Sequence, residues 1–441
     1  MHPLDRRRFL ALGTGLATLP LAPAVPEAGP APRRLLAAPA AVELDGGAAR
    51  LWAYDGAFPG PLLRLREGES LRLDLENRLD EPTNLHFHGL HVSPEGRADN
   101  PFRVVEPGQT AEYEVAIPPG QGGTYWYHPH PHRRQAAQLW RGLAGALIIE
   151  HPLDRERPLA DCGELVLFIK DLELADGLPA SHARGEWSRG KEGAGIYVNG
   201  RLDPQLEAPS LRPRLRVVNA CNARYARLAL EDGRPFHLVA LDGHFLERPQ
   251  PMTSLLVPPA GRADILVPLE AGEPARLVLR PYNRVAMRSP SVPTVIATLL
   301  PPRGRARPGL PDGLVPVPAL DPAQAARCRE VVMAMSYMGH KGAGCGTAQV
   351  QTGLGEMEVW EIRNVDTMDH VFHLHTWYFQ VLARNGKAPP FRAWLDTINL
   401  RPGERVDIAV PFTGFAGRSM YHCHIAEHAD TGMMGHIEVV A

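Results

Sequence analysis

The chain has 441 residues, 44% of them hydrophobic, and a formal net charge of -2. That length exceeds one ordinary core and fits roughly three domains of about 150 residues, and the near-balanced charge gives no reason to expect a nucleic-acid or acidic-substrate partner. With 44 prolines and 42 glycines, the composition points to many turns between short strands.

The N-terminus reads Asp5-Arg6-Arg7-Arg8-Phe9-Leu10, followed by an apolar run to about Leu21 and small residues at Ala22-Pro23-Ala24. An arginine pair before Phe-Leu and a short apolar segment predicts a twin-arginine export signal and leader within residues 1–30, and hence a protein that is periplasmic or otherwise exported. No later stretch reaches the roughly 18 uninterrupted apolar residues of a membrane span. The mature chain is therefore expected to lack one.

Internal repetition comes next. Leu71-Arg72-Leu73-Asp74-Leu75-Glu76-Asn77, Arg214-Leu215-Arg216-Val217-Val218-Asn219 and Val359-Trp360-Glu361-Ile362-Arg363-Asn364 each run as a strand into asparagine, at intervals of 142 and 145 residues. A second element follows each: Pro107-Gly108 leads to Tyr113-Glu114-Val115, Gly261 to Asp264-Ile265-Leu266-Val267-Pro268, and Gly403 to Asp407-Ile408-Ala409-Val410-Pro411. Val406, Ile408 and Val410 alternate as in a half-buried strand. One small Greek-key sandwich is thus used three times.

Histidines mark the outer repeats. The first holds His86-Phe87-His88 and His128-Pro129-His130, and the third holds His370-Val371-Phe372-His373-Leu374-His375. On an extended chain, i, i+2 spacing puts both imidazoles of a pair on one face, where they can converge on a metal. Where the outer repeats carry histidine, the middle one reads Asn222-Ala223-Arg224-Tyr225, so ligands come only from the first and third, which must meet. The chain ends with His422-Cys423-His424, then His428 and Met433. If Tyr421 to Ile425 is a strand, Cys423 points away from His422 and His424 and can sit between two metal centres. Cys423, His428, a further histidine and a weakly held Met433 form the donor set of a blue-copper site.

These motifs resemble the multicopper oxidase family, the bacterial three-domain laccase-like branch in particular. The resemblance implies an all-β fold of three cupredoxin-like Greek-key β-sandwich domains, placed at 38–152, 160–302 and 318–441. It implies four coppers per chain: type 2 on His86 and His373; a type 3 pair on His88, His128, His130, His375, His422 and His424; type 1 on His370, Cys423, His428 and Met433. The implied reaction couples one-electron oxidation of phenols or aromatic amines to four-electron reduction of dioxygen to water, in a monomer, with oxidation of cuprous or other metal ions as the alternative. Phe87 replaces the usual Trp, Val371 the usual Pro and Thr376 the usual Gly, and none of these removes a ligand.

Protons for dioxygen need nearby carboxylates, and Asp99 matches an acid placed similarly in the family. Ala429 stands where some copper-tolerance relatives carry an acid, so Glu427 or Asp430 is a possible substitute. Asp366 and Asp369 read equally as donor-binding groups or surface turn residues. The family's methionine-rich insert is lacking, and Met333 and Met335 read as core on one strand face. The other cysteines, Cys162, Cys221, Cys328 and Cys345, read as buried thiols or as up to two bridges, with the buried thiol favoured for the first three and Cys345 expected as exposed.

Overall fold

The alternation read from the sequence becomes a pattern of burial. Along Ser70–Asn77, Leu71, Leu73, Leu75 and Asn77 are buried, and along Met357–Asn364, Glu358, Trp360, Ile362 and Asn364 are. Arg214–Asn219 is buried throughout, because it lies between two other strands of its sheet with both faces covered. The computed structural model describes residues 32–441 except 46, 285–291, 336 and 341–348. The export signal and Cys345 fall outside the described residues.

No described sheet mixes strands from different repeats. Residues 33–150 give two four-stranded sheets; 164–300 a seven- and a five-stranded sheet beside a two-stranded ribbon; 327–440 two five-stranded sheets. The same pairing occurs three times. Arg33–Leu44 runs parallel to Ser70–Asn77, which is antiparallel to Thr110–Ala116. Glu164–Leu172, Arg214–Asn219 and Arg262–Leu266 repeat that arrangement, as do Arg327–Ala334, Met357–Asn364 and Arg405–Pro411.

The repeated asparagine has a physical reason. Asn77 Nδ2 donates to the carbonyls of Glu81 (3.0 Å) and Val105 (2.8 Å), while its Oδ1 accepts from Leu79 N (2.9 Å). Asn219 bonds Arg224 O, Val257 O and Cys221 N, and Asn364 bonds Met368 O, Leu400 O and Asp366 N. An amide can donate twice and accept once, so one buried side chain satisfies three backbone groups where a strand gives way to a loop. In the first and third repeats that loop leads to a histidine strand.

Backbone meets backbone where the first and second repeats touch. A Cβ added at Gly123 would lie 1.8 Å from Gly243 O. The first and third repeats join through two short helices, Gln135–Trp140 and Ala426–Asp430, where Asp430 accepts Ala136 N at 2.8 Å and Gln135 N at 3.2 Å. Among the described residues no helix is long and apolar enough to cross a membrane.

Several local expectations are corrected. Cys162 and Cys221 are buried free thiols, but Cys328 is exposed, near the start of an edge-side strand whose first residues face solvent. The last strand before the terminal helix stops at Cys423, because Ile425 already serves as the helix N-cap. Met333 is core, whereas Met335 lies one residue beyond its strand and is only partly buried.

Candidate metal centres

Four strands deliver the histidines. His86–His88 pairs antiparallel with Gly123–His128, setting His86 opposite His128. His370–Leu374 pairs antiparallel with Gly417–Cys423, setting His373 opposite His422 and Phe372 opposite Cys423. The first and third repeats then face each other, so that His86 stacks on His375 at 4.0 Å between ring centroids and His88 on His373 at 3.9 Å.

The result is four buried donor groups: His86, His88 and His373; His88, His128 and His424; His130, His375 and His422; and His370, Cys423 and His428. Within each, the potential ligand atoms lie within 4.8 Å of one another. His422 Nε2 is 3.1 Å from His130 Nε2 and 3.0 Å from His375 Nε2, while Cys423 Sγ is 3.8 Å from His370 Nδ1 and 3.6 Å from His428 Nδ1. Met433 is buried in the same apolar cluster as Cys423, and its carbonyl accepts Cys423 N at 2.9 Å.

The outer nitrogens of seven of these rings are engaged, His88 Nε2 by Asp396 Oδ1 at 3.2 Å among them. His86 Nδ1 donates to Asp99, 3.0 Å from either oxygen; His373 Nδ1 to Asp396 O at 2.9 Å; His128 Nδ1 to Pro129 O at 3.0 Å; His422 Nδ1 to Cys423 O at 2.9 Å. At the thiol, His370 Nε2 donates to Asp366 Oδ2 at 3.2 Å and His428 Nε2 to Ser188 O at 3.1 Å. Each such bond fixes the tautomer and leaves the inner nitrogen as a lone-pair donor. The inner nitrogens Nε2 of His86, His128 and His373 and Nδ1 of His88 are buried without any partner, as are Nδ1 of His375 and both nitrogens of His424. An unmet buried polar atom costs about 1–3 kcal/mol, so this many in one place demands a cation, and all-imidazole donors suit copper.

Electrostatics agree. Burial, reinforced by neighbouring imidazoles and cations, holds His88, His128, His130, His375, His422, His424 and His428 well below the ordinary histidine range. They are neutral at pH 7, as metal ligands must be. Burial pushes the Cys423 thiol up to about 12, so without a cation it stays protonated and a bound metal is what makes it a thiolate.

The multicopper oxidase family pattern matches residues 37–154 and 322–441, the two stretches that carry the histidines. A multicopper oxidase of Staphylococcus haemolyticus is 32% identical over 397 residues, covering 88% of this chain and 83% of that one. The chain belongs to the multicopper oxidases. Among solved structures, the oxidase resembles a Campylobacter jejuni multicopper oxidase described as a metallo-oxidase (TM-score 0.83, 30% identity, 92% of this chain and 91% of that one). It equally resembles a laccase-like multicopper oxidase of an Ochrobactrum species with activity towards lignin model compounds (TM-score 0.83, 28% identity, 93% and 100%). The oxidase is built almost entirely of β-strands in cupredoxin-like sandwiches and is a laccase-like oxidoreductase that uses copper and dioxygen.

The ten histidines singled out in the sequence and Cys423 fall in these groups. Asp99 is buried, with Oδ1 also accepting Phe87 N at 3.0 Å. Asp366 touches His370, whereas Asp369 is buried and bonded by Tyr282 (2.5 Å) and Asn399 (2.9 Å), a structural placement. Glu427 is buried, its Oε1 held by His182 and Asn222 at 2.9 Å each, and Asp430 is occupied with backbone N–H groups of the facing helix. Sequence reasoning missed Asp396, Thr397, Arg262 and Asp242 behind the cluster. They sit far from any histidine motif and carry no local signal.

Proposed function

We propose that the ten clustered histidines, Cys423 and Met433 hold four coppers, distributed as type 2 on His86 and His373, a type 3 pair on the two three-histidine groups His88, His128, His424 and His130, His375, His422, and type 1 on His370, Cys423, His428 and Met433. The carrying observation is the set of buried, unpartnered imidazole nitrogens in groups whose potential ligand atoms lie within 4.8 Å of one another. When bound, copper would supply the electron chemistry, in which four one-electron oxidations of the reductant balance the reduction of one dioxygen, with four protons, to two waters.

The chain supplies the rest. Cys423 lies between His422 and His424, so the thiol at one centre is one residue from ligands of the other in both directions. Asp99 holds a proton on His86 Nδ1 and is the acid proposed to serve the cluster. Burial of the imidazoles restricts the access of bulk solvent to the site.

A broad phenol and aromatic amine oxidase is the favoured reading, because no methionine-rich insert covers the thiol centre. Metal-ion oxidation is the second reading, on one observation: Asp366 joins His370 to the backbone of Met335, placing a carboxylate and a thioether residue at the outer edge of that centre. The proposal includes domains at 38–152, 160–302 and 318–441, a monomer, and twin-arginine export of a folded, loaded protein to the periplasm. Copper analysis, the optical spectrum and oxygen uptake with a phenol and with Cu(I) test it. Four coppers per chain, a blue thiolate band and faster uptake with the phenol are expected; faster uptake with Cu(I) selects the second reading, and absence of copper after reconstitution overturns both.

A further inference from the structure

We infer that the middle sandwich, which provides no ligand, positions the histidine cluster through a buried charge clamp in which Arg262 grips Asp396, with Asp242 as the second carboxylate. This rests on the copper reading above.

Asp396 is the hinge of the arrangement. Its carbonyl accepts His373 Nδ1 at 2.9 Å, and its Oδ1 accepts His88 Nε2 at 3.2 Å and the Thr397 hydroxyl at 2.7 Å. It therefore holds the outer nitrogens of two histidines that come from different repeats and stack on each other. Arg262, from the middle repeat, donates Nη1 to Asp396 Oδ1 at 2.8 Å and Nη2 to Oδ2, a two-pronged grip. Its Nε also donates to Thr124 O at 3.3 Å, on the strand that carries His128. Asp242, also from the middle repeat, accepts the backbone N–H groups of Arg262, Asp396 and Thr397 at 3.1, 3.3 and 3.1 Å. One guanidinium thus touches segments bearing ligands of both outer repeats.

The fit is close on the ligand side. Gly89 follows His88 with φ +87°, and a Cβ there would lie 2.2 Å from Arg262 Nη2 and 2.7 Å from Asp396 Oδ2. Only glycine admits this backbone conformation and this approach together. Arg262 and Asp396 are buried essentially completely. Buried ion pairs are a poor way to stabilise a contact, since apolar side chains of the same size do as well, so a pair retained directly behind two ligands points to a role at those ligands.

The groups facing Asp242 are Arg262, Asp396 and, through its backbone carbonyl, His244; Arg384, Arg401 and Glu404 line the same cavity of about 370 Å³. The Asp396 carboxylate stands on the side of His88 and His373, 3.2 Å from His88 Nε2 and 3.4 Å from His373 Nδ1. A carboxylate on a ligand's outer N–H increases the ligand's donor strength, and such partners typically govern metal affinity about 10- to 100-fold.

The test uses the full chain, reconstituted with copper, as Arg262→Ala, Arg262→Lys and Asp242→Asn. Thermal unfolding and circular dichroism verify the fold, the blue band reports the thiol centre, and copper retained against a chelator together with the paramagnetic spectrum of the non-blue copper reports the cluster. Arg262→Ala is expected to weaken cluster copper retention about 10- to 100-fold with the blue band intact. Because Arg262 lines the cavity, millimolar guanidinium should recover part of that loss and sodium chloride of equal ionic strength should not. Arg262→Lys should shift the non-blue spectrum even if Arg262→Ala does not fold, since an ammonium cannot reproduce the fork. Folded variants with parental copper retention and spectrum overturn the inference and leave the copper reading standing, as does equal copper loss from both centres without guanidinium recovery. A parent chain that takes up no copper at the cluster overturns both.

Discussion

His422 and Cys423 are consecutive, yet their side chains serve opposite faces of one strand: His422 Nε2 lies 3.0 Å from His375 Nε2, and Cys423 Sγ lies 3.6 Å from His428 Nδ1. The period-two geometry of a strand separates the two centres without separating the residues along the chain. A single peptide unit therefore joins them, and the His422 Nδ1 bond to Cys423 O at 2.9 Å adds a hydrogen bond to that link.

Replacing Cys423 by Ser should remove one centre and spare the other. The thiol packs against His370 and His428, whereas its neighbour His422 meets His130 and His375. Expected are loss of the blue band, one copper fewer per chain and oxygen uptake reduced to background, with the cluster copper retained. Copper analysis with optical spectroscopy decides it.

Asp99→Asn should act on His86 alone among the ligands. Both carboxylate oxygens face His86 Nδ1, and an amide offers one acceptor where the carboxylate offers two. Metal affinity at the His86 and His373 pair should fall about 10- to 100-fold, read by the non-blue paramagnetic signal, while the blue band is unchanged. An unaltered signal would show that Asp99 does not orient this ligand.

The copper-free protein should weaken as the solution is acidified. Burial holds the seven cluster imidazoles His88, His128, His130, His375, His422, His424 and His428 neutral in the folded chain, whereas in the unfolded chain they take up protons near pH 6.5. Their folded values are depressed, so the contribution is intact above about 6.5 and is lost as pH falls toward those values, by up to about 1.4 kcal/mol per pH unit for each residue. The urea midpoint of the apoprotein should drop steeply between pH 7.5 and 5.5; a flat midpoint contradicts the burial.

Gly123→Ala should disturb the contact between the first and second repeats, since the added methyl meets Gly243 O at 1.8 Å and the obstacle is backbone rather than a flexible side chain. Overpacking of this kind costs about 1–3 kcal/mol or more. Because the Gly123–His128 strand also presents His128, reduced copper retention should accompany the lowered unfolding temperature.

The sequence by itself determined the candidate donor residues and the repeat. Histidine pairs at i, i+2 and a Cys flanked by histidines carry their geometry in their spacing, because strand periodicity is a local property of the backbone; Asn77, Asn219 and Asn364 are legible for the same reason, each satisfying backbone groups within a few residues and one neighbouring strand. Which histidines share a group, and what stands behind them, only the tertiary structure decided. His86 and His375 are stacked although 289 positions separate them, Asp396 lies under His88 from another repeat, and Arg262 reaches both from the repeat without ligands. Asp430 and Cys328 make the same point: one caps the Gln135–Trp140 helix and the other is exposed, outcomes set by how strands and helices from distant parts of the chain pack. Long-range packing and the electrostatics of burial depend on which surfaces meet, and no local pattern encodes that.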